Sequence, residues 1–132
     1  MTKELYWLTC TAILTGILWV PYILDRAMVR GLVGSMANPS PELKPQAAWA
    51  QRLQAAHYNT VENLVVFAVL VLVLNAIHVS TANTVMACAV FFWSRLAYVI
   101  VYAAGIPGLR TLAFVVGFAA QVALALAILG AM

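Results

Sequence analysis

Four long apolar runs, parted by short polar interruptions, set the plan of this chain. The first is about Leu5 to Met28. The second enters the bilayer near Asn59, is apolar from Leu64 and ends near His78, the third is about Thr84 to Ala104, and the fourth about Leu109 to Met132. Each supplies the roughly 20 residues that a helix needs to cross bilayer hydrocarbon. The pattern predicts an all-α protein: four transmembrane helices in an antiparallel bundle, residues 1–132 forming a single domain. The breakers agree with it. Pro21, in the inner half of the first run, predicts a kink. Gly31 to Trp49 is a polar, proline-rich connection, with Asn38-Pro39-Ser40-Pro41 and Lys44-Pro45, and the second helix is expected to start in water near Pro45 or Gln46. Val79 to Asn83 reads as a tight turn, and Gly105-Ile106-Pro107-Gly108 separates the third helix from the fourth.

Composition narrows the class. Of 132 residues, 65% are hydrophobic and 8% charged, where a soluble domain carries about a quarter charged residues. The first run ends in Asp25-Arg26-Ala27-Met28-Val29-Arg30 rather than a small-residue cleavage site, so it reads as a retained helix and not a signal peptide. A net charge of +3 with no basic cluster gives no footprint for nucleic acid. Cys10 and Cys88 both sit in apolar segments without metal-type spacing, and no metal site is predicted.

The basic residues give an orientation. Arg26, Arg30, Lys44, Arg52 and Arg110 lie on or beside the first and third connections, whereas the opposite side has only Lys3, next to Glu4. The positive-inside rule then places those two connections in the cytoplasm and both termini across the membrane.

Polar residues within the spans converge at one depth. Arg52, Asn59 and Glu62 are spaced i, i+7, i+10 and share a helical face. On the third helix Arg95, Tyr98 and Tyr102 do the same, and the two groups agree in level to within roughly a turn or two. Arg110 opens the fourth helix on that side, while Arg26 and Arg30 close the first. An ionisable group at this depth needs a partner: Glu62 either pairs with Arg95 between helices or receives an ammonium group from a ligand. The excess of guanidinium over carboxylate suits a small anionic ligand, because arginine binds carboxylates bidentately and stays charged. The outer halves of the helices are apolar, which argues against a channel. His57, one position off the Asn59–Glu62 face, reads as an interfacial structural residue, and Gln121 as an interhelical hydrogen-bonding group. Gly117 with Ala113, Ala120 and Ala123 offers surfaces for close helix contact, including contact between subunits.

Three motifs resemble the MAPEG family, the membrane-associated proteins of eicosanoid and glutathione metabolism. They are Ala56-His57-Tyr58-Asn59-Thr60-Val61-Glu62, Arg95-Leu96-Ala97-Tyr98 with Tyr102, and Pro107-Gly108-Leu109-Arg110-Thr111; Ala37-Asn38-Pro39 also fits. The resemblance implies a homotrimer of four-helix subunits with glutathione, the co-substrate, held between neighbours near the cytoplasmic side. It further implies Arg30 (with Arg26, a turn away, the other candidate for that position), Asn59, Glu62, Arg95, Tyr98, Tyr102 and Thr111 as ligand-binding residues, Glu62 meeting the ammonium. Arg110 corresponds to the arginine that stabilises the thiolate for attack on a lipophilic electrophile. The sequence departs from the family where arginine usually precedes the asparagine and recurs three positions earlier: here stand Tyr58 and Ala55, with Arg52 a turn away as a candidate substitute. A non-catalytic binding or scaffold protein of the same fold is therefore the alternative implied.

Overall fold

A computed structural model describes residues 1–132 as five helical segments: α1 Lys3–Ile17, α2 Trp19–Met36, α3 Ala48–Ala76, α4 Ala82–Ala104 and α5 Pro107–Gly130, with no strand. The first two form one bent element, Lys3–Met36, so four elements are long and apolar enough to cross a membrane. The protein is an all-helical, multi-pass integral membrane protein.

The bend has a covalent cause. Pro21 has no N–H to offer the carbonyl of Ile17, so the helical ladder is interrupted there, and Leu18 is the junction between α1 and α2. The end of this element differs from expectation. Helix continues to Met36, through part of the stretch expected as loop, across a break at Gly31, whose φ of 72° and ψ of 171° belong to a region open essentially to glycine alone. The start of α3 is also later than the sequence suggests. The buried Asp25 carboxylate accepts hydrogen bonds from Ala47 N and Gln46 Nε2, both at 3.2 Å, and Gln46 Nε2 also donates to the Tyr22 carbonyl at 2.6 Å. Residues 46 and 47 are thus tied to α2, and regular helix begins only at Ala48.

The remaining ends follow local rules. Thr81 and Thr84 form a reciprocal capping box at the start of α4, Gly105 closes α4 in the left-handed region, and Pro107 occupies the first turn of α5. Glu4 reinforces the turn between α3 and α4. It is only 2% exposed, and it accepts from Thr84 Oγ1 at 2.6 Å and Ser80 Oγ at 3.1 Å, fastening α1 to the α3–α4 connection.

Two apolar cores fill the bundle. The one nearer the chain termini joins Phe67, Val71 and Leu74 of α3 to Ala87, Cys88 and Phe91 of α4 and Ala120 and Leu124 of α5. The one nearer the first connection joins Leu18 and Tyr22 to Ala50, Leu53 and Ala56 of α3 and Tyr98 and Val99 of α4. Between them, on α3, α4 and α5, fall Asn59, Thr60, Asn63, Ser94, Arg95 and Gly117, so the polar layer is a seam between two apolar blocks.

Gly117 and Ala120 are buried against α4 inside the subunit, and are not available to a neighbour. A Cβ built on Gly117 would lie 2.8 Å from Ser94 Oγ and 3.6 Å from Arg95 Nε. Replacing Gly117 with alanine is expected to lower stability by about 1–2 kcal/mol through overpacking. The paired change Ser94→Ala should recover much of that loss, as read from thermal unfolding in detergent. Full additivity of the two changes would contradict this contact.

Candidate functional site

Asn59 is the joint of the polar layer. Its Oδ1 accepts from Arg95 Nη1 at 2.9 Å and from Asn63 Nδ2 at 3.3 Å. Two donors on one oxygen fix which way the amide points, leaving Asn59 Nδ2 without a protein acceptor and available to something else. Asn63 is held in turn, since its Nδ2 also donates to the Asn59 carbonyl at 2.8 Å and its own carbonyl accepts from Gln121 Nε2 at 3.2 Å. Gln121 thus forms the interhelical bond expected of it, from α5 to α3.

Arg95 is enclosed. Its side chain is 1% exposed, with the guanidinium carbon 4.4 Å from the centroid of the Tyr98 ring, 5.4 Å from that of Phe114 and 5.8 Å from that of Phe91. Its Nε has no hydrogen-bond partner. Insertion of arginine at mid-bilayer costs about 2.5–3.5 kcal/mol. Here ring faces, each worth about 0.5–2 kcal/mol to a cation, and the bond to Asn59 offset that cost without a carboxylate.

The layer continues by stacking. The Tyr98 and Tyr102 rings meet edge to face with centroids 5.5 Å apart, and the Arg110 guanidinium lies 4.4 Å from the Tyr102 centroid. Asn63, Asn59, Arg95, Tyr98, Tyr102 and Arg110 therefore form one unbroken series across α3, α4 and α5. Five residues expected from the sequence to share a depth are in that series.

Glu62 stands apart from it. Arg95 bonds Asn59 and not Glu62, so of the two fates the sequence left open for this carboxylate, pairing with Arg95 is not the one adopted. Glu62 lies on the exposed face of α3, midway between its ends, beside Tyr58, which is 56% exposed. A carboxylate that far along a membrane helix, facing out of the bundle, is costly unless something polar covers it.

Other candidates lie elsewhere. Arg30 donates from Nε to the Lys44 carbonyl at 2.7 Å and lines a cavity in the first connection. Arg26 Nε donates to Gln46 Oε1 at 3.2 Å in the same cavity wall. Thr111 is exposed and donates to the Pro107 carbonyl at 3.2 Å. Arg52 donates from Nε to the Ala103 carbonyl at 3.0 Å, with its guanidinium against Gly105, and so caps the end of α4. It is committed there rather than free to replace the absent arginines. The His57 Nδ1 and the Tyr22 hydroxyl are 2.7 Å apart, a contact between α3 and α2 of the structural kind expected. Sequence reading missed Glu4, Asp25 and Gln46. Only Asp25 carried a signal, as a carboxylate just inside the end of an apolar run.

The model of the MAPEG family matches residues 5–130. This chain belongs to the MAPEG family. No curated protein and no solved structure matches it. Glutathione-dependent transferases and peroxidases, and non-catalytic members, both occur in the MAPEG family. The match spans all four membrane-crossing elements, so the polar series lies wholly within the MAPEG region.

Proposed function

We propose that this protein is a glutathione-dependent MAPEG transferase or peroxidase acting on lipophilic electrophiles, assembled as a homotrimer with its basic end toward the cytoplasm. The observation that carries the reading is Glu62: an outward-facing carboxylate at mid-helix, one turn from an Asn59 amide whose Nδ2 is unengaged. In this reading a neighbouring subunit covers that face. Glu62 receives the ammonium of glutathione, Asn59 Nδ2 donates to a carbonyl or carboxylate, and Arg110 on the Tyr102 ring stands by the sulfur.

The chemistry needs little else from the protein. The thiol gives its proton to solvent, and the Arg110 guanidinium stabilises the anion left behind. The thiolate forms a bond to an electrophilic carbon, whose leaving group departs with the bonding pair. Rate comes from position and charge, with no covalent protein intermediate.

Tyr58 and Ala55 limit the grip on the tripeptide. Replacing Tyr58 with arginine is expected to tighten glutathione binding about tenfold, by adding a guanidinium able to pair with a carboxylate. Calorimetric titration of both proteins in detergent checks this, and unchanged affinity contradicts the assigned pocket.

A second reading, a non-catalytic binding or scaffold protein, is favoured by one observation: Arg52 is occupied at the end of α4 and cannot make good the missing cations. Thermal scans against thiols and lipophilic anions separate the readings, since a protein of this second kind gains nothing from glutathione.

A further inference from the structure

We propose that the groove between α1 and α4, on the side of the bundle where Trp7 meets Phe92, seats one anionic phospholipid from the leaflet at the end that carries the chain termini. The site goes beyond the reading above and shares no residue with the Asn59–Glu62–Arg110 layer.

Two cavities follow one another along this groove. The first, of about 730 Å³, opens among Thr2, Lys3, Ser80 and Thr81 and reaches Trp7, Val85 and Ala89. The second, of about 300 Å³, is lined by Cys10, Ile13, Leu14, Ile17 and Phe92. Trp7 of the first wall packs on Phe92 of the second with ring centroids 5.5 Å apart, so these rings mark where one cavity gives way to the next. Polarity falls in one direction. Hydroxyls and an ammonium stand at the mouth, and beyond Trp7 the wall is apolar apart from the Cys10 thiol. That gradient matches an amphiphile lying along the helices with its head at the membrane boundary, the level where tryptophan gathers.

The length fits a single leaflet. From Trp7 to Ile17 α1 rises about 15 Å, half of a hydrocarbon core about 30 Å thick. An acyl chain laid from the mouth to Ile17 therefore ends near the middle of the bilayer.

Charge selects the head. Lys3 is exposed at the mouth, and no carboxylate lines the cavity. The neighbouring Glu4 is buried, with its two oxygens taken by Thr84 Oγ1 and Ser80 Oγ. Ala82, in the first turn of α4, lines the same mouth, so the positive end of a helix dipole adds to the lysine. A cation beside apolar surface favours a headgroup of net negative charge over a zwitterionic one, whose own ammonium would repel it.

The test uses the purified protein in nanodiscs of phosphatidylcholine and phosphatidylglycerol with identical acyl chains. Native mass spectrometry after release counts the lipid retained. The expected result is one phosphatidylglycerol kept per subunit in preference to phosphatidylcholine, and a higher unfolding midpoint in detergent when phosphatidylglycerol is added. Lys3→Glu changes an exposed residue and should weaken that retention about tenfold. Ile13→Trp, at a position 59% exposed, should weaken it similarly by filling the path of the chain. Glu62→Gln should retain lipid as the wild type does, which separates this groove from the glutathione reading. Equal retention of the two lipids, or wild-type retention by either groove variant, overturns the proposal. Retention of oleate in place of phosphatidylglycerol overturns it in favour of a free fatty acid. An oligomeric mass that falls in lipid-free detergent when Ile13 becomes tryptophan puts a second copy of the chain in the groove, and overturns it too.

Discussion

Replacing Arg110 with alanine is expected to remove the thiolate absorbance of bound glutathione and lower kcat/KM by about 100-fold or more, while helix content and oligomeric state stay as they are. A free thiol with a pKa of about 8.5 is only a few per cent ionised at neutral pH. Preorganised charge beside a developing anion is typically worth 10²–10³ in rate. Arg110 is half-buried and its guanidinium stacks on Tyr102, so its loss costs the fold little. Arg110→Lys should fall between, because an ammonium keeps the charge and loses the planar face that lies on the ring. The measurement is the ultraviolet difference spectrum at neutral pH together with steady-state kinetics. A thiolate signal that survives in the alanine variant excludes Arg110 from the role.

Arg95 should produce a different result, and two substitutions are needed to see it. Alanine removes a large, fully enclosed side chain and leaves the Tyr98, Phe114 and Phe91 faces around a cavity, so a loss of about 3–5 kcal/mol is expected. Methionine refills much of that volume without a charge, and replacement of a buried ion by a well-packed apolar group is often neutral or better. Arg95→Met should therefore fold with nearly wild-type stability. It should nonetheless bind glutathione about tenfold more weakly, because Asn59 Oδ1 loses one of the two donors that fix its amide. Unfolding in detergent and ligand titration on both variants separate the two effects. If Arg95→Met binds as the wild type does, Arg95 supports the fold alone and does not act through Asn59.

The sequence carried the architecture because membrane spans are written in long, uninterrupted composition, and here the breaks between them are marked by proline and glycine. It carried the polar layer because helical spacing and direction of travel suffice to put Asn59, Arg95, Tyr98, Tyr102 and Arg110 at one level. What spacing does not carry is pairing across helices. Arg95 chooses Asn59 over Glu62, Arg52 caps α4, and Arg30 turns into the first connection; each depends on which face of one helix meets another. The helix beyond Gly31 was hidden because a glycine just after the basic end of an apolar run reads as a helix end, whereas here it is a single non-helical residue with a further turn after it. Glu4 and Asp25 were hidden for a related reason: charged residues near span ends read as solvated, yet hydroxyl, amide and backbone donors bury both.

The central claim is that the exposed face of α3 around Glu62 holds glutathione. The direct measurement is saturation binding of radiolabelled glutathione to the detergent-purified protein and to its Glu62→Gln variant at equal helix content. Saturable binding by the wild type in the millimolar range, lost when Glu62 becomes glutamine, is the predicted result. No saturable binding by the wild type at millimolar concentrations, or equal binding by the two proteins, contradicts it.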